Sequence, residues 1–152
     1  MNRRNLCLKW GMAFMLFFLV QGCSTISTFD QYAYQQATSL KVDALAIMEL
    51  ASDSASCHAA DIRDITLKID KAYEYEKLRP KNEVSAEMWS ILRSPERNLF
   101  GGFLKRWQEK QLLSKVYIED KKEQIAKAFD IIAELESSKI KPEEAQSLFP
   151  KP

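Results

Sequence analysis

The sequence predicts an all-α protein, a small antiparallel bundle of three to four helices. Apolar residues recur at spacings of three and four along most of the chain, which is the pattern of one buried helix face. Strict alternation of apolar and polar residues, the pattern of a half-buried strand, is absent over runs of five or more residues. The 152 residues include only 4 glycines and 5 prolines, so helices are rarely interrupted, and the length suits one domain.

The N-terminal segment has the make-up of a secretory signal peptide. Residues 1–10, MNRRNLCLKW, carry three basic side chains and no acidic one. Residues 11–20, GMAFMLFFLV, are apolar apart from one glycine. A basic stretch followed by a short apolar run is typical of such peptides, whereas a transmembrane helix needs about 20 apolar residues. The sequence therefore predicts that residues 1–22 are a cleaved signal peptide.

A lone cysteine stands where the apolar run stops, in the stretch LVQGC. Val20, Gln21, Gly22 and Cys23 resemble the lipobox of bacterial lipoproteins, which has an aliphatic residue three positions before the cysteine and a small residue directly before it. The resemblance covers only about the first 24 residues. It implies cleavage before Cys23, a diacylglycerol on the Cys23 thiol and, often, an acyl chain on the new amine. Two or three acyl chains anchor a protein stably without a spanning helix.

Ser24 follows the lipidated position in this interpretation. In enterobacterial lipoproteins an aspartate at that position tends to retain the protein in the inner membrane. Ser24 therefore favours the periplasmic face of the outer membrane, so the expected location is the bacterial cell envelope, membrane-anchored and extracytoplasmic.

The three cysteines have different expected fates. Cys7 leaves with the signal peptide, and Cys23 becomes a thioether. Cys57 is then without an intramolecular partner, although an extracytoplasmic chain would tolerate disulfides. Two interpretations of Cys57 remain open: a small thiol buried under a helix turn, or a partner in an intermolecular disulfide.

The charge of the chain excludes one class of partner. The full sequence has a net charge of +1, but residues 1–22 hold three of its 22 basic residues and none of its 21 acidic ones, so their removal leaves −2. Nucleic-acid phosphates require a concentrated basic patch. The sequence therefore predicts no nucleic-acid partner.

The mature chain is expected to consist of a lipidated tether (23–28), a helical domain (29–138) and a C-terminal tail (139–152) with one short helical turn. Apolar periodicity predicts a first helix at about 29–52 and a second at 57–78, which ends because Pro80 disfavours the α conformation in Arg79. Asn82 is the expected cap of a shorter third helix, and one long helical segment is predicted from 103 to about 137. Gly101 and Gly102 either break a helix or let two backbones approach.

Candidate catalytic and metal-binding residues are few. Neighbouring Cys57 and His58 point about 100° apart on a helix, and no second histidine exists to complete a Cys–His pair. His58, Asp61 and Asp64 share a helical face, but metal sites usually need three or four converging ligands, and the alternative is a solvated acidic face at a helix start. No nucleotide-binding or nucleophile motif occurs. The sequence predicts no enzyme, no metal and no cofactor.

One aromatic cluster surrounds the two glycines. It consists of Trp89, Phe100, Phe103 and Trp107, with Arg106 beside it. Three interpretations are open: the hydrophobic floor of the bundle, an exposed partner-binding patch, or a peripheral membrane contact, since tryptophans suit the headgroup region.

These observations predict a lipid-anchored envelope protein that works by binding. The expected role is that of a scaffold or accessory subunit with a protein partner. An immunity- or inhibitor-type binder of a foreign protein is the alternative, and an acidic groove would favour it. An enzyme would instead require an exposed cleft that gathers Cys57, His58 and Asp61.

Overall fold

The computed structural model describes residues 29–150, so the predicted signal peptide, Cys23 and the predicted tether before Phe29 lie outside the described residues. The prediction of an all-α protein is confirmed, because this part of the chain forms helices and no strand. It holds six α-helices where three to four were predicted: α1 Gln31–Glu49, α2 Ala59–Leu78, α3 Glu83–Arg93, α4 Phe100–Lys110, α5 Lys115–Glu136 and α6 Pro142–Leu148. Two 3₁₀ turns, Leu50–Ser52 and Ala55–His58, join α1 to α2.

Four helices, α1, α2, α3 and α5, enclose the core, and contacts between their side chains give their directions. Lys41 of α1 pairs with Asp130 of α5 at 2.6 Å, and Glu49 at the other end of α1 pairs with Lys122 at 2.9 Å. These two pairs make α1 and α5 antiparallel. In the same way, Ser85 of α3 bonds the end of α5 at Glu136, whereas Trp89 meets Phe129 one turn or more earlier in α5. Helices α3 and α5 are therefore antiparallel as well.

The bundle has two ends, which we call the tether end and the distal end. The tether end is where α1 begins, where α2 and α5 end, and where the loops 79–82 and 137–141 lie. The distal end holds the two 3₁₀ turns, the start of α5 and the loop 111–114. Helix α4 lies towards the distal end, since the Trp107 indole NH donates to the Asp53 carbonyl at 2.9 Å.

The first residues at the tether end are held firmly. Asp30 caps α1, because its carboxylate accepts the Tyr32 and Ala33 backbone NH groups at 2.8 and 3.1 Å. The same carboxylate accepts the Tyr75 hydroxyl at 2.6 Å and lies 3.6 Å from Nε of Arg79. Helix α1 is thus joined to the end of α2 at its first turn.

The predicted end of the second helix is confirmed, since α2 stops at Leu78, two residues before Pro80. The expected cap of the third helix is different. Asn82 precedes α3, but its side chain makes no capping bond there. Its amide donates instead to the Glu76 carbonyl at 3.3 Å and to the Glu76 carboxylate. The Asn82 side chain is 7% exposed, so its NH₂ group requires a hydrogen-bond acceptor, and the buried Glu76 provides one.

The prediction of one long helix from 103 to about 137 is wrong, because two helices occupy this range. Gln111 has a φ of 64°, which ends α4, and its NH donates to the Trp107 carbonyl at 2.7 Å. The Leu113 NH then donates to the Ala51 carbonyl at 2.9 Å, so the chain turns back against the first 3₁₀ turn. No glycine or proline marks this turn, and partners distant in the sequence stabilise it.

The charged stretch 119–124 does not interrupt α5, although it lacks a conventional core residue. Lys121 is buried, and its ammonium donates to Gln124 Oε1 at 2.7 Å and to the Asn98 carbonyl at 3.4 Å. The aliphatic part of the lysine side chain therefore covers the core at this level while its charge is hydrogen-bonded.

The short helix expected after Pro142 is α6, and it packs against α5 and α3. Ala145 and Phe149 are buried with the rest of the core. Residues 142–149 therefore share the hydrophobic core of the helical domain.

Candidate functional site: a groove between helices α2 and α4

Two glycines set the position of α4. A Cβ on Gly101 would overlap the carbonyl oxygen of Arg93, and one on Gly102 would overlap that of Arg97. Neither glycine breaks the helix, since both lie in its first turn. The second interpretation of the Gly–Gly pair is therefore confirmed: the glycines allow two backbones to approach, and α4 begins directly against the segment 93–97.

A groove of about 600 Å³ runs between α4 and the first half of α2. Its floor is apolar and includes Ile62, Ile69, Phe100 and Leu104, all of which are at most 5% exposed. Leu67 lies on its α2 side and is 51% exposed. Pockets that bind ligands are typically concave and mostly apolar with a few polar groups, and they have volumes of this order. This α2–α4 groove is the candidate binding site.

The rim of the α2–α4 groove is basic. Three cations, Arg63, Arg93 and Lys105, face one carboxylate, that of Asp70. Arg93 is paired with Asp70 and lies 4.2 Å from the centre of the Tyr73 ring, and Lys105 is paired with Glu96 outside the groove at 2.8 Å. Arg63 is exposed and forms no ion pair with another residue of the described range 29–150. A ligand carboxylate would therefore meet an uncompensated cation at Arg63.

The predicted aromatic partner-binding patch is not exposed in this structure. Trp89, Phe100, Phe103 and Trp107 are each at most 1% exposed, because α4 turns its apolar face into the bundle. Arg106 alone is exposed, and its guanidinium lies 4.7 Å from the centre of the Tyr117 ring. The rings form the hydrophobic floor of the bundle, which was the first interpretation, and of the four only Phe100 reaches the α2–α4 groove.

Cys57 and His58 lie at the distal end, where the second 3₁₀ turn leads into α2. The expectation of a buried Cys57 thiol is wrong, because the side chain is exposed. The 3₁₀ turn places Ala55 inside, and Cys57 points outwards. His58 lies against the Trp107 ring at a centroid distance of 5.7 Å, with Nδ1 3.5 Å from Asp61 and Nε2 3.8 Å from Asp53.

Asp64, the third residue of the candidate metal-binding face, does not join His58 and Asp61. Asp64 pairs with Lys68 at 3.0 Å, one turn along α2. Across residues 29–150, no group of three or more His, Cys, Asp and Glu side chains is arranged to hold a metal ion. The face that holds Asp61 and Asp64 is thus solvated and paired.

A buried ionic cluster at the tether end was not predicted. Glu76 and Glu136 are 1% and 5% exposed, and Arg79 Nη1 donates to both carboxylates, at 2.6 and 2.7 Å. Asn82 adds a bond to Glu76, and the Ser85 hydroxyl adds one to Glu136 at 2.5 Å. Burial raises the pKa of Glu76 to about 7, and the neighbouring Glu136 carboxylate acts in the same direction, whereas Arg79 opposes it.

This cluster joins α2, α3 and α5, and its members satisfy one another's hydrogen bonds. We therefore assign it to the stability of the bundle. The sequence signal that could have found it is the position of Glu76 on the apolar face of α2, four residues after Ala72 and seven after Ile69.

No α-helix in the described part of the chain combines the length and the apolar character that crossing a membrane requires. Comparison of the sequence with protein-family models, and of the chain with curated proteins and with solved structures, finds no match.

Proposed function

We propose that this protein is a bacterial lipoprotein, attached through acyl chains on Cys23 to a membrane of the cell envelope, where it acts as a non-catalytic binding or accessory protein. The stretch LVQGC at the end of a basic and then apolar N-terminal segment supports the anchor. Ser24 favours the periplasmic face of the outer membrane over the inner membrane. Acyl chains supply the attachment, since each buried CH₂ contributes about 0.8 kcal/mol.

The α2–α4 groove carries the binding half of the proposal. Its apolar floor and the exposed Leu67 favour a protein partner that inserts apolar side chains, and Arg63 favours a carboxylate beside them. An immunity- or inhibitor-type binder is the alternative, and an acidic groove would favour it. The α2–α4 groove has three cations and one carboxylate, so it gives that alternative no support.

The anchor is tested by replacing Cys23 with alanine and following incorporation of labelled palmitate in bacteria. The Cys23→Ala protein should incorporate no label and should accumulate as a larger, unprocessed precursor. Cys7→Ala is the matched control, because Cys7 lies in the segment that is removed, and it should leave labelling and processing unchanged. Unchanged labelling of the Cys23→Ala protein would remove the lipoprotein proposal.

The binding half is tested by purifying the lipidated protein from membranes after crosslinking and identifying what accompanies it. Leu67→Glu places a charge in the α2–α4 groove and should abolish co-purification of a specific partner. Leu112→Glu is the control, since Leu112 is similarly exposed, at 57%, but lies at the distal end. Equal recovery of the partner with both variants would show that the groove is not the binding surface.

A further inference from the structure

Three exposed apolar side chains gather at the tether end of the bundle. Phe29 and Tyr32 flank the start of α1 and are each 56% exposed, and Leu78, the last residue of α2, is 78% exposed. The rings of Tyr32 and Tyr75 meet edge to face with centroids 4.9 Å apart, so the start of α1 and the last turn of α2 are in contact. Phe29, Tyr32 and Leu78 therefore belong to one end of the molecule.

The loops at this end are basic. The loops 79–82 and 137–141 contain four cations and no carboxylate, and exposed carboxylates follow directly in the first turns of α3 (Glu83) and α6 (Glu143 and Glu144). Arg79 points into the buried cluster, whereas Lys81, Lys139 and Lys141 are exposed. Apolar and aromatic side chains mixed with lysines are the combination that binds the headgroup region of an anionic membrane.

The distal end also exposes apolar side chains, among them Leu112 and Val116. Its loops 50–58 and 111–114 contain one carboxylate, Asp53, and neither lysine nor arginine. Exposed lysines flank the second of these loops, since Lys110 ends α4 and Lys115 begins α5, so charge does not separate the two ends.

The covalent reach of the tether distinguishes the two ends independently. Six Cα–Cα steps separate Cys23 from Phe29, and at no more than about 3.6 Å per residue they span at most about 22 Å. Helix α1 has 19 residues, which gives a length of about 28 Å. An anchor at Cys23 therefore cannot hold the distal end against the membrane with the bundle upright, because the start of α1 would then lie beyond its reach.

We propose that the tether end rests on the headgroup layer of the membrane that holds the anchor, with Phe29, Tyr32 and Leu78 in the interface and Lys81, Lys139 and Lys141 facing lipid phosphates. This inference rests on the proposed lipidation of Cys23. The α2–α4 groove begins at Asp70 and extends to Ala59, which is 8 to 19 residues from Leu78 along α2. At 1.5 Å per residue, the groove then lies about 12 to 28 Å above the lipid and opens to a partner in the periplasmic space.

The full lipidated protein, reconstituted into vesicles of phosphatidylethanolamine and phosphatidylglycerol, tests the orientation. In a Cys57→Ser background, an environment-sensitive fluorophore is attached at Leu78→Cys or, as the matched control, at Leu112→Cys. The probe at position 78 should shift to shorter wavelength and lose most of its emission when the acyl chains are brominated. The probe at position 112 should show neither change. Circular dichroism verifies that both labelled proteins remain helical.

Flotation of the same vesicles reports the anchor separately. If the protein floats with the lipid but the probe at position 78 is as accessible to aqueous iodide as the probe at position 112, the anchor stands and the orientation is wrong. A protein partner covering the tether end would shield the position-78 probe without quenching by brominated lipid, and that result would also overturn the inference. If the protein does not float, the lipoprotein proposal fails and the orientation fails with it.

Discussion

Arg79 and Glu136 form an ion pair of 2.7 Å that joins the ends of two helices 57 residues apart in the chain. The same guanidinium nitrogen bonds Glu76, so one cation serves two buried carboxylates. Removing one partner from a buried ionic group is far more costly than replacing the whole group, because a charge is left without compensation.

Arg79→Met should therefore lower the free energy of unfolding by about 3–5 kcal/mol, since it leaves two carboxylates unpaired in the interior. Urea unfolding of the purified protein in non-ionic detergent, followed by circular dichroism, measures the change. Arg97→Met is the control, because Arg97 is exposed and the substitution should cost less than about 0.5 kcal/mol. Equal effects of the two substitutions would contradict a stabilising role for the cluster.

Glu76 should make stability depend on pH. Its pKa is raised from 4.5 to about 7 in the folded chain, chiefly by burial, so the folded state holds this proton more tightly than the unfolded state does. The stabilisation is fully present below pH 4.5 and is lost as the pH rises through about 7.

Asp30 has the opposite effect on stability, and at lower pH. The Tyr75 hydrogen bond lowers the pKa of Asp30 below 3.8, so the stabilisation that Asp30 contributes is lost only as the pH falls below that value.

Glu76→Gln removes the titrating group while keeping its size and its acceptor oxygen. The variant should lose the decline in unfolding free energy between pH 4.5 and 7 that the unmodified protein shows. Glu74→Gln is the matched control on the same helix, since Glu74 is exposed and pairs with the exposed Lys77 at 3.3 Å. A decline that persists unchanged in Glu76→Gln would assign the pH dependence to another group.

Gly101→Ala should destabilise the protein by about 1–3 kcal/mol, the usual cost of forcing extra volume into a packed site. Within an unconstrained helix the same change would stabilise by about 0.5–1 kcal/mol, so the sign of the effect distinguishes the two cases. Destabilisation is expected here because the new Cβ would overlap the Arg93 carbonyl oxygen. Urea unfolding measures the effect, and the exposed Gln108→Ala in the same helix should change stability little.

The Cys57 thiol should react stoichiometrically with a maleimide in the folded protein, because its side chain is exposed. The rate should match that of the urea-unfolded protein within a few fold, and Cys57→Ser should remove the label. Electrophoresis without reductant reveals any intermolecular disulfide, which the alternative interpretation of this residue predicts. A thiol that reacts only after unfolding would restore the buried interpretation.

Features of the fold that depend on neighbouring residues in the sequence, such as helix ends and buried helix faces, were predicted correctly. Pro80 fixes the end of α2, and apolar periodicity identifies α1 and α2 to within three residues at each end. The break between α4 and α5 has no such local signal, because Gln111 takes a left-handed conformation where its carbonyl accepts the Ala55 NH of the second 3₁₀ turn. The sequence leaves three interpretations open for the aromatic residues around Gly101, and only the placement of α4 shows that they belong to the core.

The candidate site was less predictable for the same reason. The α2–α4 groove exists because two helices that are separated in the sequence by α3 leave a space between them. Arg63 and Leu67 look like ordinary surface residues in the sequence, and only the position of α4 makes them a rim. Glu76 and Glu136 likewise acquire their partners from α2, α3 and α5 together.

Asp30 joins the first turn of α1 to the end of α2. It caps α1 and holds the end of α2 through Tyr75 and Arg79, directly beside the point where the tether enters. If Cys23 carries the proposed anchor, a pull from the membrane enters the domain at this turn. Such a pull would have to break the contacts of Asp30 with Tyr75 and Arg79 before the first turn of α1 could separate from α2.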